Sequence, residues 1–174
     1  MYDEYKFNSH NKTLPVQQDT AVFRDCSFIP DGYSSGVYHI KPTDDTIVAY
    51  CDMDRTDGPW TVIQRRINGD VDFYRNWTEY KNGFGDLLGN FWIGNDKLHQ
   101  LTATPRVLRV ELGAWNGTTG FAKYSRFQVA SEDLNYKILV EEFSGHIGKL
   151  HLLSYKSSFW DMVRITAGAK ACYQ

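Results

Sequence analysis

The sequence predicts an α+β domain, loop-rich and built mainly on antiparallel strands, with short helices between them. Three observations predict it. Segments of β-branched and aromatic residues recur along the chain, separated by turn residues at short intervals. Helical spacing appears over short stretches only. Aromatic residues make up 15% of the chain and stand beside 14 Gly, a composition suited to irregular elements anchored by rings. The length, 174 residues, fits one domain that buries roughly 70% of the unfolded chain's surface.

The elements follow in order. Residues 1–23 are polar and form an N-terminal extension. The runs VYHI (37–40) and TIVAYCDM (46–53) flank a polar turn and predict a hairpin. The turn signal TDGP (56–59) leads to a third strand, Trp60–Arg66, whose alternation marks no single buried face. Phe73, Trp77, Tyr80 and Phe84 recur at helical spacing, until NGFG (82–85) must break any helix. Residues 95–102 predict a short helix capped by Asn95. Strands are then predicted near 106–112, 121–129 and 136–143, with Asn116-Gly117 turning between the first two, which makes an antiparallel meander. Trp60, Trp77, Phe91, Trp92, Leu108, Val110, Phe121 and Phe127 are the predicted core.

Composition excludes several classes of function. The net charge of −2 and pI near 6.2 speak against nucleic acid and anionic membranes as partners. No apolar run approaches the ~20 residues of a membrane span. No Walker A, GxGxxG, GxSxG or HExxH motif occurs. His10, His39, His99, His146 and His151 include no pair at helical ligand spacing. Asp44-Asp45 and Glu141-Glu142 read as solvated surface, and Arg65-Arg66 is too short for a nucleic-acid patch. The chain is read as non-catalytic.

Three cysteines are present, Cys26, Cys51 and Cys172, with no CxxC pair. Cys26 and Cys51 enclose a turn-rich loop; a bridge there would contribute on the order of 3 kcal/mol, and two separate buried thiols are the alternative. Asn11, Asn76 and Asn116 each begin an N-glycosylation acceptor. Beside a disulfide, three acceptors point to an extracellular compartment.

The stretches DCSFIPDGYSSGVYHIKP, VAYCDMDRTDGPWTVIQRR, NGFGDLLGNFWIGNDKLHQLT, LRVEL, FAKYSRFQV and YKILVEEFSG stand in this order. Together they resemble the fibrinogen C-terminal domain, shared by fibrinogen chains, ficolins, tachylectin-type lectins, tenascins and angiopoietins. The resemblance covers residues 24–148. It implies a Cys26–Cys51 bridge in a small N-terminal subdomain, followed by a central twisted antiparallel sheet. The glycine-aromatic stretch would hinge the two, with Trp77, Phe84, Phe91 and Trp92 as packing residues. One departure is DGPW (57–60), where the family has Gly-Gly-Gly-Trp; Pro59 fixes φ and removes an N–H.

Beyond Gly148 the resemblance fades, and residues 149–174 read as a divergent tail. The family's calcium loop, second disulfide and acetyl-group pocket find no counterpart there. Asp161 is the tail's one carboxylate side chain, too few for calcium's six to eight oxygens, so no metal cofactor is expected. Cys172 is expected as a free thiol or an interchain partner. Leu150, Leu152, Leu153 and Phe159 are expected to pack poorly against the sheet edge. The resemblance implies a secreted recognition module, lectin-like or matrix-like, that binds acetylated glycans or extracellular proteins and could oligomerise through an N-terminal region not in this chain. The alternative is a truncated or mis-spliced family member without ligand-binding competence.

Overall fold

The computed structural model describes residues 22–113 and 117–146, together with the backbone of 169–173. The described chain is a twisted antiparallel sheet with two short helices. Its strands are β1 (Gly36–Ile40), β2 (Ile47–Asp52), β3 (Trp60–Arg65), β4 (Phe84–Gly85), β5 (Phe91–Trp92), β6 (Arg106–Gly113), β7 (Thr119–Val129), β8 (Ile138–Gly145) and β9 (Ala169–Tyr173). The helices are α1 (Trp77–Asn82) and α2 (Asn95–Leu101). The main path runs β1-β2-β3-β9-β6-β7-β8, while β5 pairs with β3 and β4 with β5.

The three strands of the N-terminal part fall where β-branched and aromatic runs predict them. Cys26 and Cys51 are bonded, with Sγ atoms 1.95 Å and Cα atoms 5.5 Å apart. The bond ties a 3-10 turn at Cys26–Phe28 to β2. β3 explains its own ambiguous pattern: Trp60, Thr61, Val62, Ile63 and Gln64 are all buried. A strand with neighbours on both sides and both faces covered has no reason to alternate.

β9 is the largest departure from the sequence reading. It lies between β3 and β6, with Val62↔Cys172 and Arg109↔Cys172 in register. Residues 169–173, read as part of a divergent tail, supply a central strand on which both halves of the sheet pair. Leu150, Leu152, Leu153, Phe159 and Asp161 lie outside the described residues.

The glycine-aromatic stretch builds a tight crossing. Gly83 and Gly94 have φ of +92° and +107°, and their backbones approach each other's neighbours. A Cβ on Gly83 would stand 2.5 Å from the Ile93 carbonyl oxygen, and one on Gly94 would stand 2.7 Å from that of Asn82. Only glycine fits both the conformation and the space. Around the crossing, Tyr80 meets Phe84 and Trp92 edge-on, at 5.0 and 5.8 Å between ring centroids. Trp92 Nε1 donates to Tyr80 O and Asn95 Oδ1, each at 3.0 Å. Lys97 Nζ donates to the carbonyls of Asn82 and Ile93, both at 3.1 Å, and clamps the crossing from outside. Burial lowers the pKa of Lys97.

Four expectations need correction. Asn95 does not cap α2; Gly94 occupies that position without a side-chain cap, because the Asn95 amide is buried and committed to Trp92. The helical spacing that begins at Phe73 yields a helix only from Trp77, because Asn76 caps it there, while its end at Asn82 is where NGFG is expected to break it. Trp77 is half-buried, since its indole sits at a rim, over Tyr136 and bonded to Glu132. Phe121 is half-buried too, lying on the outer face of the sheet between the Arg109 guanidinium at 4.0 Å and the His146 ring at 4.8 Å. Trp60, Phe91, Trp92, Leu108, Val110 and Phe127 are each 3% exposed or less.

Candidate interaction site

The most connected polar surface among the described residues lies where the loop after β2 folds over β6. The loop is turned by Gly58, whose N–H donates to Arg55 O at 3.3 Å and whose φ is +104°. It contains the Asp57-Gly58-Pro59-Trp60 departure. Pro59 delivers Trp60 to the start of β3, where its indole Nε1 donates to Asp57 Oδ1 at 3.0 Å.

From Asp57 a chain of alternating charges crosses the sheet. Arg109 reaches Asp57 at 3.4 Å through Nη1 and Glu111 at 2.9 Å through Nε. Glu111 also bonds Arg55, whose Nε lies 3.1 Å from Asp52. Asp52 Oδ1 accepts from the Asp54 amide at 3.3 Å, and Asp54 Oδ2 accepts from Ser35 Oγ at 2.7 Å. Asp54, Arg55, Thr56, Asp57 and Arg109 line an open cavity of about 460 Å3. The cluster sets the carboxylates of Asp52, Asp54, Asp57 and Glu111 against the guanidinium groups of Arg55 and Arg109, a net charge of 2 − 4 = −2. Both guanidinium groups are engaged by carboxylates, so the surface is acidic. Its exposed carboxylate oxygens include those of Asp54, which accepts from the Ser35 hydroxyl, and Asp57.

The sequence-predicted residues separate. Asn76 caps α1: its Oδ1 accepts from Glu79 N at 2.9 Å, and Glu79 Oε2 accepts from Asn76 N at 3.0 Å. This reciprocal capping box was legible as Asn followed three residues later by Glu, and the sequence reading used Asn76 only as an acceptor. The Glu79 carboxyl is held below its usual pKa by the Asn76 backbone N–H and by Arg75. Asn11, Asn116, His10 and His151 lie outside the described residues. Cys172 is placed by its backbone in β9. His39 is exposed on β1, His99 stands on α2, and His146 follows the end of β8. Arg65 stacks on Tyr50 at 4.0 Å and Arg66 on Phe73 at 4.3 Å, so this pair serves packing. Glu141 pairs with Arg126 at 3.2 Å, and exposed Glu142 accepts from Ser125. Among the described residues, no three of His, Cys, Asp and Glu converge as a metal ion requires. No helix among them is long and apolar enough to cross a membrane.

Comparison with known proteins identifies the fold. The profile of the family described as "Fibrinogen beta and gamma chains, C-terminal globular domain" matches residues 22–166. Angiopoietin-related protein 7 from Mus musculus is 41% identical over 171 residues, covering 89% of this chain and 51% of that protein. Angiopoietin-2 from Mus musculus is 40% identical over 156 residues, covering 87% of this chain and 32% of that protein. The chain thus spans about half or less of the length of these relatives. Among solved structures, the fibrinogen-like globe domain of human ANGPTL2 aligns with TM-score 0.69 and 36% identity, covering 73% of this chain and 61% of that one. A lamprey fibrin D-dimer, complexed with the peptide Gly-His-Arg-Pro-amide, aligns with TM-score 0.70 and 33% identity, covering 75% of this chain and 44% of that one. With the family model matched over residues 22–166 and relatives near 40% identical across most of the chain, the chain belongs to the fibrinogen C-terminal domain family.

Proposed function

We propose that this chain is an extracellular protein-recognition module of angiopoietin-like type. The observation that carries the reading is identity near 40% with angiopoietin-related proteins across most of the chain. The acidic cluster around Asp54, Asp57 and Arg109 supports it as a docking surface for a basic patch on a partner protein. Its charges are fixed by one another, so little order is lost on binding. Acetylated glycans are the competing ligand class, and calcium is proposed to play no part.

Binding of the fluorescently labelled 174-residue chain to cultured cells tests this. Saturable binding should vanish after proteolytic shaving of the cell surface. It should persist in excess N-acetylglucosamine and in chelator. Asp54→Lys, at an exposed position, should weaken it and reduce its salt dependence. Inhibition by N-acetylglucosamine or by chelator would replace the protein-ligand reading with a lectin-like one.

A further inference from the structure

A second concave region lies on the opposite side of the meander, where α2 meets the ends of β7 and β8. Its architecture starts from Val129. β6 pairs with β7 only as far as Phe127, so the Val129 backbone lacks a strand partner on that side. The α2 end supplies one with side chains. Thr102 Oγ1 accepts from Val129 N at 3.0 Å, and His99 Nδ1 lies 2.8 Å from Val129 O. A carbonyl only accepts, so Nδ1 carries the proton. Nε2, across the ring, has no hydrogen bond among the described residues.

His99 lines a cavity of about 380 Å3, within the ~300–1,000 Å3 typical of small-molecule sites. Half-buried Ala130 and Leu139 give it an apolar floor over the buried Val129 and Ile138, and exposed Lys137 stands among its lining residues. The Lys137 ammonium has no ion-pair partner among the described residues, and no carboxylate lines the cavity. The remaining polar lining residue, Gln128, is turned by its amide towards Ala103 O at 3.4 Å. The floor is therefore apolar and the charge entirely basic, with one imidazole nitrogen left open.

We propose that this cavity binds a small monocarboxylate with a compact apolar body. Lys137 pairs with the carboxylate, Ala130 and Leu139 take the apolar body, and His99 Nε2 makes the second polar contact. The site is independent of the acidic cluster, and its test does not depend on which partner that cluster binds.

The experiment is an NMR titration of the full 174-residue chain with phenylacetate, with phenylacetamide and benzylamine as neutral and cationic counterparts. Saturable shifts are expected at the amides of residues 128–130 and 137–139 and at His99 Nε2, with Kd of roughly 1–10 mM. Phenylacetamide should bind at least about fivefold more weakly, and benzylamine more weakly still. Lys137→Glu alters an exposed side chain, should leave the thermal midpoint unchanged, and should weaken phenylacetate at least about fivefold. Non-saturable shifts, shifts centred elsewhere, equal binding of the amide or amine, or unchanged affinity in Lys137→Glu would each overturn the proposal.

Discussion

Replacing Arg106 by leucine removes the cation that faces Asp25. The Asp25 side chain is 2% exposed and the Arg106 side chain 16%, with Nη2 2.9 Å from Oδ2. The approach is off-axis, so the contact is Coulombic rather than a directed hydrogen bond. Breaking a buried pair at one partner typically costs about 3–5 kcal/mol, because the remaining charge cannot reach water. Here Asp25 Oδ1 still accepts from the Ser27 amide at 2.9 Å and from its hydroxyl, which places Arg106→Leu near the lower end, about 3 kcal/mol. For a chain of this length that corresponds to a fall in Tm of roughly 6–12 °C. Asp25→Asn keeps the Ser27 contacts and leaves an Arg106 that can turn to solvent, so it should cost about 1–2 kcal/mol. Urea unfolding followed by tryptophan fluorescence, with the disulfide intact, measures each variant and the double mutant. The double mutant should be more stable than the sum of the single losses implies, by about 1–2 kcal/mol. An Arg106→Leu effect below about 1 kcal/mol, or strict additivity, would refute the claim that this pair joins the disulfide-bonded turn to β6.

Gly94→Ala should destabilise by about 2–4 kcal/mol, from a positive φ and a Cβ 2.7 Å from the Asn82 oxygen. Gly117→Ala, with φ +84° but nothing within 4 Å, should lose only about 1 kcal/mol; equal effects in thermal unfolding would show that space at the crossing does not matter. Burial raises the Tyr80 pKa from 10.0 to about 12. The fold prefers the neutral phenol, so this stability is fully present below pH 10 and is lost as pH rises from 10 towards 12, by up to about 2–3 kcal/mol. Absorbance at 295 nm should show Tyr80 and Tyr136, both raised by burial, ionising only with alkaline unfolding, and Tyr80→Phe should remove one of these steps and its part of the pH dependence; an unchanged profile would count against it.

The local parts of this fold were readable because their causes are local. Asn76 and Glu79 sit at capping-box spacing, and the turns and strand runs of the meander use residues suited to them. The candidate site was harder. Asp57 and Pro59 were visible as a departure from the family pattern, yet Arg109 and Glu111 join them from about fifty residues away. Basic and apolar alternation in β6 marks a half-buried strand and does not say which carboxylate each arginine meets. Trp77, which packs against the core, and Phe121 stay partly exposed, because a large ring contributes equally well at a rim, where an ion or a polar edge covers one side.

The sequence by itself determined the family, the strand segments of β1, β2, β3, β6, β7 and β8, and the absence of known catalytic motifs. Those follow from side-chain period, backbone freedom and residue chemistry, which act over a few neighbours. The tertiary structure decided that residues 169–173 enter the sheet between β3 and β6, and that α2 completes the backbone of Val129 through Thr102 and His99. It also decided how the charges of two separate segments, residues 52–57 and 109–111, close into one acidic surface. Each depends on pairings between residues far apart in the chain, where unpaired backbone groups and unpartnered charges select the register. No short window of sequence contains both partners.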